Sequence, residues 1–184
     1  METDLSLLDA ARSMDQKALV AIFDRYAAVL YNYALRMCGD VERADNAVGD
    51  VFTKLLEQLA DGKGPQTNLR AYLYTMTYHH LIDGSRLSQR EAPLELADFE
   101  LDKDNRQQSM ASGLENKILT DTLILAIKNH LTATQRHVIV LRFVEEFSLR
   151  ETAQIVRKEV GSVKSIQNRA IVKLRKVLER MVSA

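Results

Sequence analysis

The sequence predicts an all-α protein of two small helical domains joined by a flexible acidic linker, and three observations carry that prediction. Apolar residues recur at spacings of three and four along most of the chain, with no β-branched alternation of any length. Only two prolines and seven glycines interrupt 184 residues, of which 46% are apolar and 27% charged, enough for compact cores. The charge is zero overall but uneven. Residues 1–86 carry 9 Lys+Arg against 12 Asp+Glu, residues 87–113 carry 3 against 6, and residues 114–184 carry 13 against 7. The cations therefore gather in the C-terminal third.

In the N-terminal domain, residues 1–86, a short apolar series Leu5, Leu8 and Ala11 comes first. A long amphipathic helix follows, with Ala18, Leu19, Ile22, Phe23, Tyr26, Ala27, Leu30, Tyr33, Ala34 and Met37 on one face and Gly39 available to end it in a left-handed conformation. Asp40 is an N-cap for a helix reaching about Ala60. Its buried face is Ala44, Val48, Val51, Phe52, Leu55 and Leu59, and its outer face is Asp45, Asn46, Gly49, Asp50, Thr53 and Glu57. After the breaker DGKGP, Thr67 or Asn68 caps a further helix, LRAYLYTMTYHHLID. Leu69, Leu73, Met76 and His80 are expected inward; Tyr74, Tyr78 and His79 fall largely off that side. Rings on an open helix face can stack unpaired bases, although tyrosines at this spacing also serve to cap a core.

Residues 87–113, LSQREAPLELADFELDKDNRQQSMASG, hold few large apolar residues and no lasting helical period, and so are expected to be a mobile linker. The C-terminal domain, residues 114–184, opens with a helix from Leu114 to His130. Thr132-x-x-Gln135 and Ser148-x-x-Glu151 are capping boxes, each announcing a helix start. The helix after Ser148 runs only about two turns before Arg157, Lys158 and Glu159 break its pattern. A second series then begins, Val160, Val163, Gln167, Ala170, Leu174, Val177, Leu178 and Met181, and two helices across so short a turn are a helix-turn-helix. The opposite face of that last helix carries Ser162, Lys164, Ser165, Asn168, Arg169, Lys173, Arg175 and Lys176. These are donors for phosphate oxygens and base edges, with no carboxylate among them from Val160 to Leu178.

Other chemistries find no footing in the residues. Cys38 is the single cysteine, which fits a reducing cytoplasm and reads as a small buried apolar residue. No apolar run approaches the ~20 residues of a membrane span, so no membrane insertion is expected, and METDLSLLD lacks the basic start of a signal peptide. His79 and His80 face different ways on a helix without a further ligand at metal spacing. There is no Gly-rich phosphate loop and no nucleophile elbow; neither an enzyme nor a cofactor is expected.

LTATQRHVIVLRFVEEFSLRETAQIV followed by VGSVKS resembles region 4 of the extracytoplasmic-function (ECF) sigma factors of bacterial RNA polymerase. DRYAAVLYNYALRMCGDVERADNAVGDVFTKLLE with LRAYLYTMTYHHLID is similar to their region 2. The resemblance implies a cytoplasmic promoter-specificity subunit whose partners are core RNA polymerase (the β′ clamp helices and β flap), promoter DNA and an anti-sigma factor. It implies a polymerase contact at Asn46, Gly49, Asp50 and Phe52. It assigns −10 element contacts to Arg70, Tyr74, Tyr78, His79 and Asp83, with His79 where the family often has an Asn that meets a flipped base. The −35 element falls to Ser162, Lys164, Ser165, Asn168, Arg169 and Lys173. The acidic linker would thread toward the polymerase cleft.

Three departures from the family pattern matter. Asn46 and Gly49 replace the usual Asp and Gln of the clamp contact, and Thr75 and Tyr78 stand where Arg is common. In the turn of the helix-turn-helix, Arg157 occupies the usual place of Gly and Glu159 that of a Ser cap, so Arg157 has to accept an awkward backbone. The first two departures also suit a sigma-like decoy that sequesters an anti-sigma factor, and the C-terminal domain alone suits a plain helix-turn-helix regulator.

Overall fold

The structure, a computed structural model, describes residues 3–88, 123 and 126–182. The chain divides into two compact units, Met1–Asp98 and Phe99–Ala184. Every regular element among the described residues is helical.

The first unit holds α1 (Asp4–Arg12), α2 (Gln16–Cys38), α3 (Val41–Ala60) and α4 (Leu69–Ser88). Local chemistry sets each start: Thr3, Asp15 and Asp40 turn their side chains back onto the amides of Ser6, Ala18 and Arg43. Asn68 does the same for α4, accepting from Ala71 at 2.9 Å, which decides between the two expected caps. Gly39 ends α2 at φ +69°, as its place after the apolar series predicts, and its amide donates to the Leu35 carbonyl at 2.8 Å.

The six expected inward residues of α3 are all buried. The α1 series shifts by one turn position: Leu7 is buried beside Leu8 and Ala11, while Leu5 is 52% exposed. Asp4 fixes that rotation. It receives the Tyr26 hydroxyl and an ion pair from Arg25 at 2.6 Å, so the next residue has to face outward. Burial and the Asp4 charge push the Tyr26 phenol well above its usual range, and it stays a donor. At the other end of α1, Arg12 donates to the Pro65 carbonyl at 2.7 Å and pins the loop that feeds α4. Phe23, expected inward, is 49% exposed.

α4 departs most from expectation. It packs on α1, α2 and α3, so its buried set is wider than one stripe. Leu69, Leu73, Tyr74, Thr77, Tyr78 and Leu81 are buried, whereas Met76 and His80, expected inward, are only half-buried. α4 also continues through Leu87 and Ser88, two residues past the expected domain limit at 86. The rest of the expected linker, and most of the expected helix from Leu114, lie outside the described residues.

The second unit holds α5 (described at residues 126–130), α6 (Ala133–Phe143), α7 (Leu149–Ile155) and α8 (Val160–Val182). Both capping boxes form as predicted, Thr132 with Gln135 and Ser148 with Glu151. Ala126, Leu131, Ile139, Ala170 and Leu174 make one buried cluster, with Ile127, Val177 and Leu178 against it. Each fully buried aliphatic side chain contributes about 1.5–3 kcal/mol. His137 shares the buried face of α6 at 4% exposure. Burial, with the charge of Arg136 beside it, lowers its pKa to about 3, so it is neutral in the folded chain.

Candidate nucleic-acid interface

α7 and α8 form the expected helix-turn-helix, and the sequence explains the turn residue by residue. Ser148 accepts from the Glu151 amide at 3.2 Å, and Glu151 receives the Ser148 amide at 2.8 Å. α7 ends at Ile155 with Val156 as its C-cap; Arg157 then adopts φ +49°, a left-handed backbone of the awkward kind implied by its standing where the family usually has Gly. The Lys158 amide donates to the Ala153 carbonyl at 2.9 Å and closes the turn. Glu159 takes the capping place of α8: its carbonyl accepts from Val163 at 3.0 Å and its side chain is exposed.

Val163, Ala170 and Leu174 turn α8 inward, which leaves Ser162, Lys164, Ser165, Asn168, Arg169, Lys173, Arg175 and Lys176 all exposed. Val160, expected on the inner stripe, is 43% exposed, and burial on that stripe begins at Val163. An open cleft at that end is lined by Lys158, Glu159, Gly161, Ser162, Ser165, Ile166 and Arg169. It gathers three of the expected −35 residues, Ser162, Ser165 and Arg169; Lys164 and Asn168 lie on the other flank of the helix and Lys173 further along. Arg169 folds back along α8, its Nε donating to the Ser165 carbonyl at 3.3 Å. Val172 is 54% exposed near the middle of the basic face, an apolar group able to meet a thymine methyl that donor chemistry alone does not reveal.

In the first unit, Asn46, Gly49 and Asp50 lie exposed on the outer face of α3, as expected. A Cβ built on Gly49 would meet nothing within 4 Å. His80 Nδ1 stands 3.4 Å from Asp50 Oδ2 and joins α4 to that face. Phe52 is different: it is 8% exposed, its ring centroid 4.8 Å from that of Phe23, so Phe23 is the ring of this pair open to solvent.

The α4 residues divide sharply. Tyr74 is fully buried with its ring 5.1 Å from Tyr33, and Tyr78 is 6% exposed. Neither ring stands on an accessible face, which corrects the expectation that they are open to bases. Three helices crowd α4, and a tyrosine ring is large enough to fill the space between them. Arg70 is half-buried with its guanidinium 5.5 Å from the Tyr74 centroid. His79 is half-buried, edge-on to Tyr78 at 5.1 Å, and Asp83 is exposed. Along one side of α4, at i, i+4, i+7 and i+11, Tyr72, Met76 and His79 are half-buried and Asp83 is exposed. Tyr72 is half-buried, which raises its phenol pKa and keeps it uncharged.

Two family models match the chain: Sigma-70 region 2 over residues 22–91 and Sigma-70 region 4 over residues 129–176. Together they span more than half of it, and the chain belongs to the sigma-70 family, with the two-region arrangement of the ECF group. It is 28% identical over 160 residues to the ECF RNA polymerase sigma factor SigX of Bacillus subtilis, covering 86% of this chain and 82% of that one. Over 180 residues it is 26% identical to the ECF RNA polymerase sigma factor SigL of Mycobacterium tuberculosis, covering 96% and 98%. Among solved structures, CnrH in complex with the cytosolic domain of CnrY has a TM-score of 0.70 at 21% identity, covering 97% of this chain and 99% of that one. The sigma factor RpoE in complex with the anti-sigma factor NepR from Bartonella quintana has a TM-score of 0.70 at 21% identity, covering 89% and 98%. At these identities the two structures establish the fold. No helix among the described residues is long and apolar enough to cross a membrane, and among them no group of three or more His, Cys, Asp or Glu could hold a metal ion.

Proposed function

We infer that the chain is a sigma factor that binds core RNA polymerase and directs promoter-specific initiation, with an anti-sigma factor as its regulator. One observation carries this most: a region 2 helix set and a region 4 helix-turn-helix stand in one chain, and the reading helix of the latter exposes five Lys and Arg side chains with no carboxylate from Val160 to Leu178. The chain performs no catalytic step of its own and works beside the polymerase in the cytoplasm.

In this reading α8 enters the major groove of the −35 element, Lys164 and Ser165 near the bases and Lys173 on the phosphate backbone. The exposed side of α3, with Asn46, Gly49 and Asp50, meets the polymerase β′ subunit, and region 4 meets the β flap. His79, Asp83 and Arg70 serve the −10 element, with Tyr72 replacing Tyr74 and Tyr78 as the ring available to an unpaired base. The anti-sigma partner is supported by the two solved complexes, each of which pairs a similar chain with a second protein.

The test is assembly and selection. Purified chain mixed with core polymerase is expected to co-elute with it and to enrich, from a randomised duplex library, sequences sharing two spaced elements. A chain that elutes apart from core polymerase, or an enriched pool with no shared element, contradicts the reading.

A further inference from the structure

The inner stripe of α8 consists of Val163, Ile166, Gln167, Ala170, Leu174, Val177 and Leu178, and Gln167 is its one polar member. That amide is engaged from below. Arg142, at the end of α6, donates its Nε–H to Gln167 Oε1 at 3.1 Å and an Nη1–H to the Phe147 carbonyl. Its guanidinium also lies 6.0 Å from the Phe143 ring centroid. One half-buried side chain therefore joins the end of α6, the chain entering α7 and the middle of α8.

We propose that Arg142 is a positioning residue for promoter reading, which through Gln167 sets the rotation of α8 about its own axis. Apolar burial along the stripe is non-directional and leaves that angle soft, especially at Ala170, whose side chain is short. A guanidinium is planar, with donors in a fixed fork, so two of its bonds to two different elements define an angle as well as a distance. The angle matters at the other face. With side chains a helix is about 10–12 Å across, so a turn of about 10° moves the outward tips by about 1 Å. Hydrogen bonds to base edges hold only within a window of about 0.5 Å. Ser165 and Asn168, on either side of Gln167 in sequence, are the residues whose reach that rotation decides.

This inference rests on the reading of α8 as the DNA-contacting helix, and the experiment separates the two. The full chain assembled with core polymerase is measured on the duplex that wild type enriches and on a scrambled version of it. Gln167→Met keeps the length and removes the acceptor; Gln167→Glu keeps the acceptor. Gln167→Met is expected to lower the ratio of the two affinities about tenfold, the scale of one lost base contact, with the scrambled duplex bound as before. Gln167→Glu is expected to keep the ratio. Arg142→Met should match Gln167→Met, and the double variant should be no worse than either single change. Should Arg142→Met not fold, the two Gln167 variants decide alone. An unchanged ratio in Gln167→Met, or equal loss on both duplexes, overturns the positioning role and leaves α8 as the reader. A wild-type chain that enriches no duplex overturns the reading of α8 and the positioning role with it.

Discussion

The rings of Tyr33 and Tyr74 meet at 5.1 Å with 53° between their planes, and neither is exposed. An aromatic pair of this geometry is worth about 0.5–1.5 kcal/mol beyond the area that it buries. Tyr74 thus belongs to the fold of the first unit. Tyr74→Ala is expected to cost about 3–5 kcal/mol of stability and to remove promoter binding only by unfolding the unit. Tyr72→Ala, at a half-buried ring, is expected to lower the unfolding midpoint much less than Tyr74→Ala and to weaken binding of a −10 single strand by about 1–3 kcal/mol. Thermal melts beside single-strand binding check both; equal loss of stability in the two variants would remove Tyr72 from the proposed site.

Gly49 offers a cleaner test of the α3 face. It sits in mid-helix, exposed, with open space where a side chain would stand, so a longer residue fits without displacement. Gly49→Gln is expected to stabilise the first unit by up to about 1 kcal/mol, through helix propensity alone. Asp50→Arg gives up the 3.4 Å contact with His80, which should cost no more than about 1 kcal/mol, and should weaken co-elution with core polymerase. Urea unfolding and gel filtration read the two effects; full polymerase affinity in Asp50→Arg would clear this face of the contact assigned to it.

The caps and the helix-turn-helix were legible in the sequence because they rest on local chemistry. Ser148 with Glu151, Thr132 with Gln135, and Asp40 with Gly39 act within four residues of themselves, and each is found as expected. The α3 faces were legible because that helix has one wet side. α4 was not, since it packs on three other helices and its pattern of tyrosines and threonines has no single apolar stripe. Phe23 misled in the other direction: its spacing matches the core of α2, yet its ring lies outward over Phe52. The Arg142 to Gln167 bond spans 25 positions and leaves no local trace.

Arg157 carries the strain that its standing at the family's usual Gly position implied. At φ +49° a residue with a side chain costs about 1–2 kcal/mol, and glycine pays nothing there. Arg157→Gly is therefore expected to stabilise the second unit by about 1 kcal/mol, part of the gain being offset by the freer unfolded chain. A fall in its unfolding midpoint would mean that the Arg157 side chain makes contacts worth more than the strain.

His137 should make the second unit sensitive to acid. Its pKa is about 3 in the fold and about 6.5 in the unfolded chain, so between those values the unfolded state binds a proton that the folded state refuses. Its contribution is complete above about pH 6.5 and is lost as pH falls, by about 1.4 kcal/mol per unit. Amide exchange in α6, corrected for intrinsic rates, should quicken between pH 7 and pH 5, and His137→Leu should flatten that slope. An unchanged slope in His137→Leu assigns the acid sensitivity to other groups.

Run-off transcription shows whether the chain starts promoter-specific transcription. Core polymerase alone and core polymerase with the chain are given the same library of double-stranded templates. Transcripts are expected only with the chain, starting downstream of a shared pair of elements. Lys164→Ala is expected to relax the upstream element, whereas Lys173→Ala is expected to weaken all templates about equally and to lower the salt dependence by about one ion. Transcripts no more abundant than those of core polymerase alone, at a concentration where the chain co-elutes with it, would contradict the account and leave a fold that binds polymerase without starting transcription.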